Sequence, residues 1–343
     1  MLRELLGRLS GGENLSQEES AAAFEAVLRG ECSDAEIALL LMALRTKGET
    51  ADEIAGAAAT MQSNMVPILN RTVGAIDTCG TGGDGSATFN ISTAAAIVTA
   101  AAGVPVAKHG NRKVTSRSGS ADVLAALGVN VEADVATVEA CLEELGLCFC
   151  FAPLLHPTMK RVAEVRRQLG GRTIFNLLGP LSNPARAPFR LLGVGKPEFR
   201  PILANALLKL GVERAIVVHG EDGLDEVTTC GRTFVTEVKS LGDSQSPMLI
   251  EHVWTPSDFG VPLASRDAFD VSGPEESAAV IRNVLANQPG PALDITAANA
   301  AAAIWTAGKV NTLGDGMNLA LNAISSGAAS ELLARLVQRS LAV

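Results

Sequence analysis

From Val73 onward, short apolar runs alternate with longer helical ones, and this pattern limits the fold more tightly than any other property of the chain. The runs "VGAID", "VPVAKHG", "LCFCFAP", "RLLGVG" and "RAIVVHG" are each long enough for one strand and too short for an ordinary helix. Their spacing predicts an α/β fold in which helices pack on a mainly parallel sheet. In such a sheet the functional groups gather in loops at the carboxyl ends of the strands.

The first seventy residues read as helices instead. Ser16 with Glu19, Ser33 with Glu36 and Thr50 with Glu53 have the spacing of capping boxes, where a hydroxyl takes an orphan N–H and the glutamate reaches back. Gly30 and Gly48 stand where helices should stop. We therefore expect a small helical domain over residues 1–70, completed by helices from about 160–185, and a large α/β domain over 71–343. The block "PSDFGVPLASRDAFDVSGPEESA" reads as a surface connection. The Ala-rich C-terminal stretch reads as helical, with no functional signal.

Composition narrows the function. A net charge of −9 and 3% aromatic residues, with no Tyr, argue against a general nucleic-acid surface, which needs clustered cations and stacking platforms. No apolar run is long enough to cross a membrane, and the six cysteines have neither zinc spacing nor the framework of a small secreted domain. A cytoplasmic protein with free thiols is expected.

The stretch "IDTCGTGGDGSATFNIST", Ile76 to Thr93, joins the first strand-like run to an Ala-rich helical run. Gly80, Gly82, Gly83 and Gly85 leave the backbone bare, so its N–H groups can close around an anion at a helix N-terminus. The glycines formally fit a dinucleotide fingerprint. However, eight residues separate Gly85 from the helix, and the next strand ends in Lys108 and His109 rather than an acid. A Walker A loop fails because no Gly-Lys-Ser/Thr follows. An ordinary glycine turn is the bland alternative.

Three further clusters fall after strand-like runs or beside them. Lys108, Arg112, Lys113 and Arg117 stand close together with Thr115, Ser116 and Ser120, the mixture of cations and hydroxyls that phosphate favours over a merely solvated loop. Asp225 and Glu226 are adjacent carboxylates that repel unless a cation attends them. Magnesium suits them, since it binds through one or two carboxylates plus substrate phosphates. Arg166 and Arg167 must face about 100° apart on a helix, so that one can enter a cleft while the other meets solvent. The four histidines have no metal spacing, and no nucleophile relay can be assembled.

Six motifs in register, "GTGGDG", "NIST", "KHGNR", "SGSADVLAALG", "HPTMKRVAEVRRQLGGRTIFNLLGPLSNP" and "VVHGEDGLDE", resemble anthranilate phosphoribosyltransferase over nearly the whole chain. The resemblance implies transfer of a phosphoribosyl group from phosphoribosyl pyrophosphate to the amine of anthranilate, in tryptophan biosynthesis, by a homodimer that uses Mg2+. It places the active site between a helical and an α/β domain. It assigns the donor to Gly80, Gly83, Asp84, Thr88, Asn90, Ile91, Ser92, Thr93, Lys108, His109, Gly110, Asn111, Arg112, Lys113, Val114, Thr115, Ser116 and Ser120. It assigns anthranilate to Gly80, Asn111 and Arg166, and the metal to Ser92, Asp225 and Glu226. A pyrimidine nucleoside phosphorylase is the nearest enzyme alternative, but such relatives have Lys-His-Ser where this chain has Lys108, His109 and Gly110. A non-catalytic nucleic-acid-binding relative fits neither the acidic balance nor the intact Asp225–Glu226 pair.

Overall fold

The computed structural model describes residues 2–83, 85–113, 117–240 and 247–342. The chain opens with helices α1 (Leu2–Ser10), α2 (Gln17–Arg29), α3 (Asp34–Lys47) and α4 (Ala51–Ser63). All three expected capping boxes form, at Ser16, Ser33 and Thr50. Glu53 does more than cap. Its fully buried carboxylate accepts the N–H of Leu15 at 2.9 Å and that of Thr50 at 2.8 Å, and pairs with Lys47 at 2.9 Å. A buried charge needs such a set of partners.

The α/β part then runs β1 (Ile76–Gly80), α5 (Ile91–Ala101), β2 (Val106–Gly110), α6 (Ser120–Ala126), α7 (Val135–Leu145), β3 (Leu147–Phe151), the single turn α8 (Ala152–Leu155), α9 (Lys160–Leu169), the single turn α10 (Phe175–Leu178), β4 (Phe189–Gly193), α11 (Phe199–Lys209) and β5 (Arg214–Gly220). Two strands absent from the sequence reading follow, β6 (Thr233–Lys239) and β7 (Met248–Trp254). The chain ends with α12 (Pro274–Leu285), α13 (Pro291–Thr306), α14 (Leu313–Ser325) and α15 (Ala328–Leu341).

Among the described residues these strands form one seven-stranded sheet in the order β3-β2-β1-β4-β5-β6-β7. The first five strands are parallel, and β6 and β7 add an antiparallel edge. The apolar strands are buried on both faces, which is why they read as continuous runs. In β5, Ile216 and Val218 face one core while Ala215 and Val217 face the other. The first core joins β1–β3 to α5, α7 and the Ala-rich α13. The second joins β4 and β5 to the N-terminal helices, α9, α10 and α11. The supposed surface connection after β7 is a correction, because Phe259, Phe269 and Val271 within it are buried in the first core. Among the described residues no helix is long and apolar enough to cross a membrane.

The chain passes from β1 outward to β2 and β3, then returns to place β4 on the other side of β1. This reversal opens a crevice at the carboxyl ends of β1 and β4, where ligands of open α/β sheets bind.

Candidate active site

Close contact at that crevice demands glycine. A Cβ on Gly193 would lie 1.6 Å from the Asp225 carbonyl oxygen, and one on Gly80 would lie 2.3 Å from Asp225 Oδ2. The loop carrying the two acids therefore rests directly on the ends of β1 and β4. The Gly82 N–H donates to Asp225 Oδ2 at 3.0 Å, and the Ser92 N–H donates to Glu226 Oε1 at 3.2 Å. The adjacent carboxylates are thus separated, one toward the glycine loop and one toward the N-terminus of α5. A helix N-terminus favours negative charge.

Lys108 joins the same group from β2. Its Nζ donates to the Thr78 carbonyl at 2.6 Å and to Ser92 Oγ at 3.2 Å. Burial pushes this ammonium pKa down, while Asp77, Cys79, Glu226 and Asp225 oppose the shift. Lys108 and Glu226 thus meet at one serine, Ser92, through its hydroxyl and its amide. Asp77, which the sequence reading missed, holds the strands around them. It is fully buried, accepts the His109 N–H at 3.0 Å and lies 3.6 Å from Arg190 on β4.

Asn90 is the second organising residue. Its Oδ1 accepts hydroxyl bonds from Ser118 and Ser277, each at 2.8 Å, so both lone pairs are occupied. Its Nδ2 donates to the Ser118 carbonyl at 3.1 Å and its N–H to Ser277 Oγ at 2.9 Å. Ser277, on α12, therefore fixes the segment that opens α5.

The remaining expected donor residues are placed unevenly. Thr88 bridges to Asp270, and Ser120 Oγ donates to the Asn111 carbonyl at 3.4 Å. Gly110 packs against Ser120 and Phe149, where a Cβ would not fit. Ile91 and Thr93 are buried, and the Thr93 hydroxyl has no partner among the described residues. Arg112 turns to Glu132 at 2.7 Å and Asp122 at 3.5 Å, and the Lys113 N–H donates to Asp122 at 2.8 Å. Asp84, Val114, Thr115 and Ser116 lie outside the described residues.

On the other side of Gly80 a cavity of about 400 Å³ lies between β1, β2, α9 and the Gly179–Pro180 turn. Met61, Met159, Phe175 and Pro180 give part of it an apolar lining, and Asn111, Lys160, Arg166 and Asn176 are among its polar groups. Arg166 lies over the Phe175 ring at 5.3 Å, and burial pushes its pKa down. Among the described residues it has no ion-pair partner, whereas exposed Arg167 pairs with Glu164 at 2.6 Å. The two arginines do face apart, as helix geometry requires.

His109 and His156 line the same cavity with rings 5.0 Å apart. The Gly179 carbonyl, 3.0 Å from His109 Nδ1, can only accept, so Nδ1 carries the proton and Nε2 the lone pair. Burial lowers the His109 pKa to about 4, and burial together with His109 lowers that of His156 to about 3. Burial pushes the Cys79 thiol the other way, so the cavity holds two neutral imidazoles and a neutral thiol, not an activated nucleophile.

Two family models cover most of the chain. One, described as a glycosyl transferase family helical bundle domain, matches residues 3–65; the other, the a/b domain of the same family, matches residues 72–330. An anthranilate phosphoribosyltransferase of Rhodospirillum rubrum is 50% identical over 336 residues, covering 98% of this chain and 95% of that protein. One of Acetivibrio thermocellus is 45% identical, covering 98% and 96%. The crystal structure of the Thermus thermophilus enzyme superposes with a TM-score of 0.91 at 43% identity, covering 98% of this chain and 99% of that one. The Saccharomyces cerevisiae enzyme in complex with phosphoribosyl pyrophosphate and Mg superposes with a TM-score of 0.89 at 28% identity, covering 99% and 97%.

Proposed function

The chain belongs to the anthranilate phosphoribosyltransferase family, and from that premise we propose how its residues divide the work. The reaction moves the phosphoribosyl group of 5-phosphoribosyl 1-pyrophosphate to the amine of anthranilate, releases pyrophosphate and uses Mg2+.

We assign the donor to the glycine loop and the β2 loop: Gly80, Gly83, Asp84, Thr88, the Asn90–Thr93 turn, the 108–116 segment and Ser120. Ile91 and Thr93 are buried and their N–H groups donate to the Phe89 and Asn90 carbonyls at 2.8 and 3.0 Å, so their contribution is to hold the turn that opens α5. Ser92, Asp225 and Glu226 suit a hard divalent ion, being a hydroxyl and two carboxylates held in place by separate partners, Asp225 by the Gly82 N–H, Glu226 by the Ser92 N–H and the Ser92 hydroxyl by Lys108. Two carboxylates are few for a cage made of protein alone, which fits magnesium that also binds substrate phosphates. When bound, that ion would neutralise charge on the departing pyrophosphate.

Anthranilate is assigned to the cavity of about 400 Å³. Arg166 would pair with its carboxylate, the apolar lining would hold its ring, and Asn111 and Gly80 would stand nearest the amine. Lys108 would place positive charge beside the leaving group. An aryl amine is neutral at pH 7, so orientation next to the ribose carbon matters more than a strong base. Such positioning contributes up to about 7–11 kcal/mol. The observation that carries this assignment is the Arg166 charge, half-buried and without an ion-pair partner among the described residues, on the wall of the cavity beside Gly80.

A homodimer and a cytoplasmic location belong to the same proposal. Leu39, 47% exposed on α3, is an apolar side chain that a second copy would cover. Anthranilate fluorescence tests the assignment. Its loss should require protein, donor and magnesium together, and Asp225→Asn with Glu226→Gln should flatten the magnesium dependence. An unchanged magnesium titration removes the two acids from the metal role.

A further inference from the structure

Asp225 and Glu226 stand in the loop between β5 and β6, where their carboxylates accept the Gly82 and Ser92 N–H groups. The backbone that carries them has two anchors. One is local: Asp222 accepts the Thr228 hydroxyl at 2.9 Å and the Leu224 N–H at 3.4 Å, tying the loop across its base. The other comes from α13, across a sequence separation of 72 residues.

The Ala-rich α13 carries no functional signal in its sequence, yet Thr296, Asn299 and Thr306 are buried on it. The two threonines bond back to their own helix, to the Ala292 and Ala302 carbonyls at 2.7 Å each. Such bonds satisfy a buried hydroxyl locally. Asn299 does otherwise. Its Oδ1 accepts the Val227 N–H at 2.9 Å, and its Nδ2 donates to the Val227 carbonyl at 2.8 Å and to the Ile295 carbonyl at 2.9 Å.

A carboxamide inside a packed core is costly unless its donors and acceptor are paired. Here two of the bonds go to one residue, the neighbour of Glu226. Val227 also buries its own side chain in the first core. A residue held through its N–H, its carbonyl and its side chain cannot slide or turn without breaking several contacts together. The same helix packs on α5, whose first turn carries Ser92. One element therefore backs both halves of the metal set, the acid loop through Asn299 and Ser92 through α5.

We propose that Asn299 is a positioning residue for the metal site. Its carboxamide sets the register of the 225–227 backbone against α5, so that Asp225 faces the glycine loop and Glu226 faces Ser92. It acts through Val227 and not by touching the ion. This inference deepens the proposed function and rests on the metal role given there to the two acids.

Mn2+ binding in the presence of phosphoribosyl pyrophosphate, read from the electron paramagnetic resonance of the free ion against a protein-free control, tests this without turnover. Asn299→Leu keeps the helix and nearly the volume but removes both bonds to Val227. Its Mn2+ dissociation constant should rise roughly tenfold. Anthranilate, titrated calorimetrically, should bind as it does to the native chain. A purely structural role would lower the folded fraction and leave the Mn2+ constant of the folded chain unchanged, and that result overturns the proposal. The native chain gives a second measurement, independent of whether the variant folds. If the clamp orients the acids, an ion on the acids must tighten the clamp in return. Hydrogen exchange of the Val227 amide should therefore slow about tenfold when magnesium is added to the donor-saturated chain. Exchange that magnesium leaves unchanged overturns the proposal. Asp225→Asn with Glu226→Gln separates the two readings. Mn2+ binding that persists in that double variant refutes the metal role itself, whereas binding lost there and native in Asn299→Leu refutes the positioning alone.

Discussion

Arg166 carries a charge that no described residue neutralises, on a helix whose next residue, Arg167, is already paired with Glu164. A guanidinium held half-buried over Phe175 is prepared for a carboxylate from outside the protein. Arg166→Ala is therefore expected to raise KM for anthranilate about ten- to a hundredfold, the range of a charge-assisted hydrogen bond. KM for the phosphoribosyl donor should change much less, and equal effects on the two substrates in steady-state assays would refute the assignment. Helix geometry made it legible that adjacent arginines cannot share a direction, while the choice of Arg166 over Arg167 came from the resemblance. Asp77 was not legible. Nothing beside it in sequence announces that its carboxylate will accept an amide from β2 and face an arginine from β4.

Among the elements, α12 shows how far a site reaches beyond its motifs. Ser277 binds Asn90 across a sequence separation of 187 residues, donating to the side-chain oxygen and accepting the backbone N–H. Ser277→Ala would free one lone pair of Asn90 and loosen the turn that opens α5. The expected outcome is a donor KM raised several-fold, about 1 kcal/mol, with KM for anthranilate little changed. A donor KM equal to that of the native chain would show that Ser118 alone suffices to hold Asn90. The five parallel strands were readable as apolar runs because both of their faces are buried. β7 escaped notice because an edge strand mixes exposed and buried positions, as Met248, Leu249 and Val253 show by their exposure, and β6 because Thr233, Thr236 and Glu237 interrupt its apolar run although all three are buried. The segment after β7 misled for a related reason. Its Pro, Gly and Ser residues signal irregular backbone, but burial of Phe259 and Phe269 depends on neighbours far away in sequence.

At the scale of the whole molecule, two cores share one sheet, and the cavity beside Gly80 lies where the helical domain meets the strand ends. That burial makes stability depend on pH through His109 and His156. Their folded pKa values, about 4 and about 3, lie below the ordinary value of about 6.5. The unfolded chain thus binds protons near pH 5 that the folded chain cannot, so stability is full above pH 7 and falls as the pH drops through 6.5. Each histidine should cost about 2 kcal/mol between pH 7 and pH 5. Urea midpoints that coincide at those two pH values would show that the imidazoles are not held neutral. The proposed dimer is also a property at this scale. Sedimentation at micromolar concentration should give twice the chain mass, with Leu39→Glu shifting it toward the monomer, and a native chain that sediments as a monomer would exclude the dimer.

The sequence by itself determined the local grammar: capped helices first, then apolar strands alternating with helices, and glycines where the backbone must stay bare. Periodicity, capping and φ preference act over a few residues, so they can be read in one dimension. Only the tertiary structure decided that Lys108 and Glu226 meet at Ser92, that Ser277 holds Asn90, and that a cavity opens beside the end of β1. Those pairings depend on strand order and on the return of the chain across β1, which brings together groups that no local preference connects.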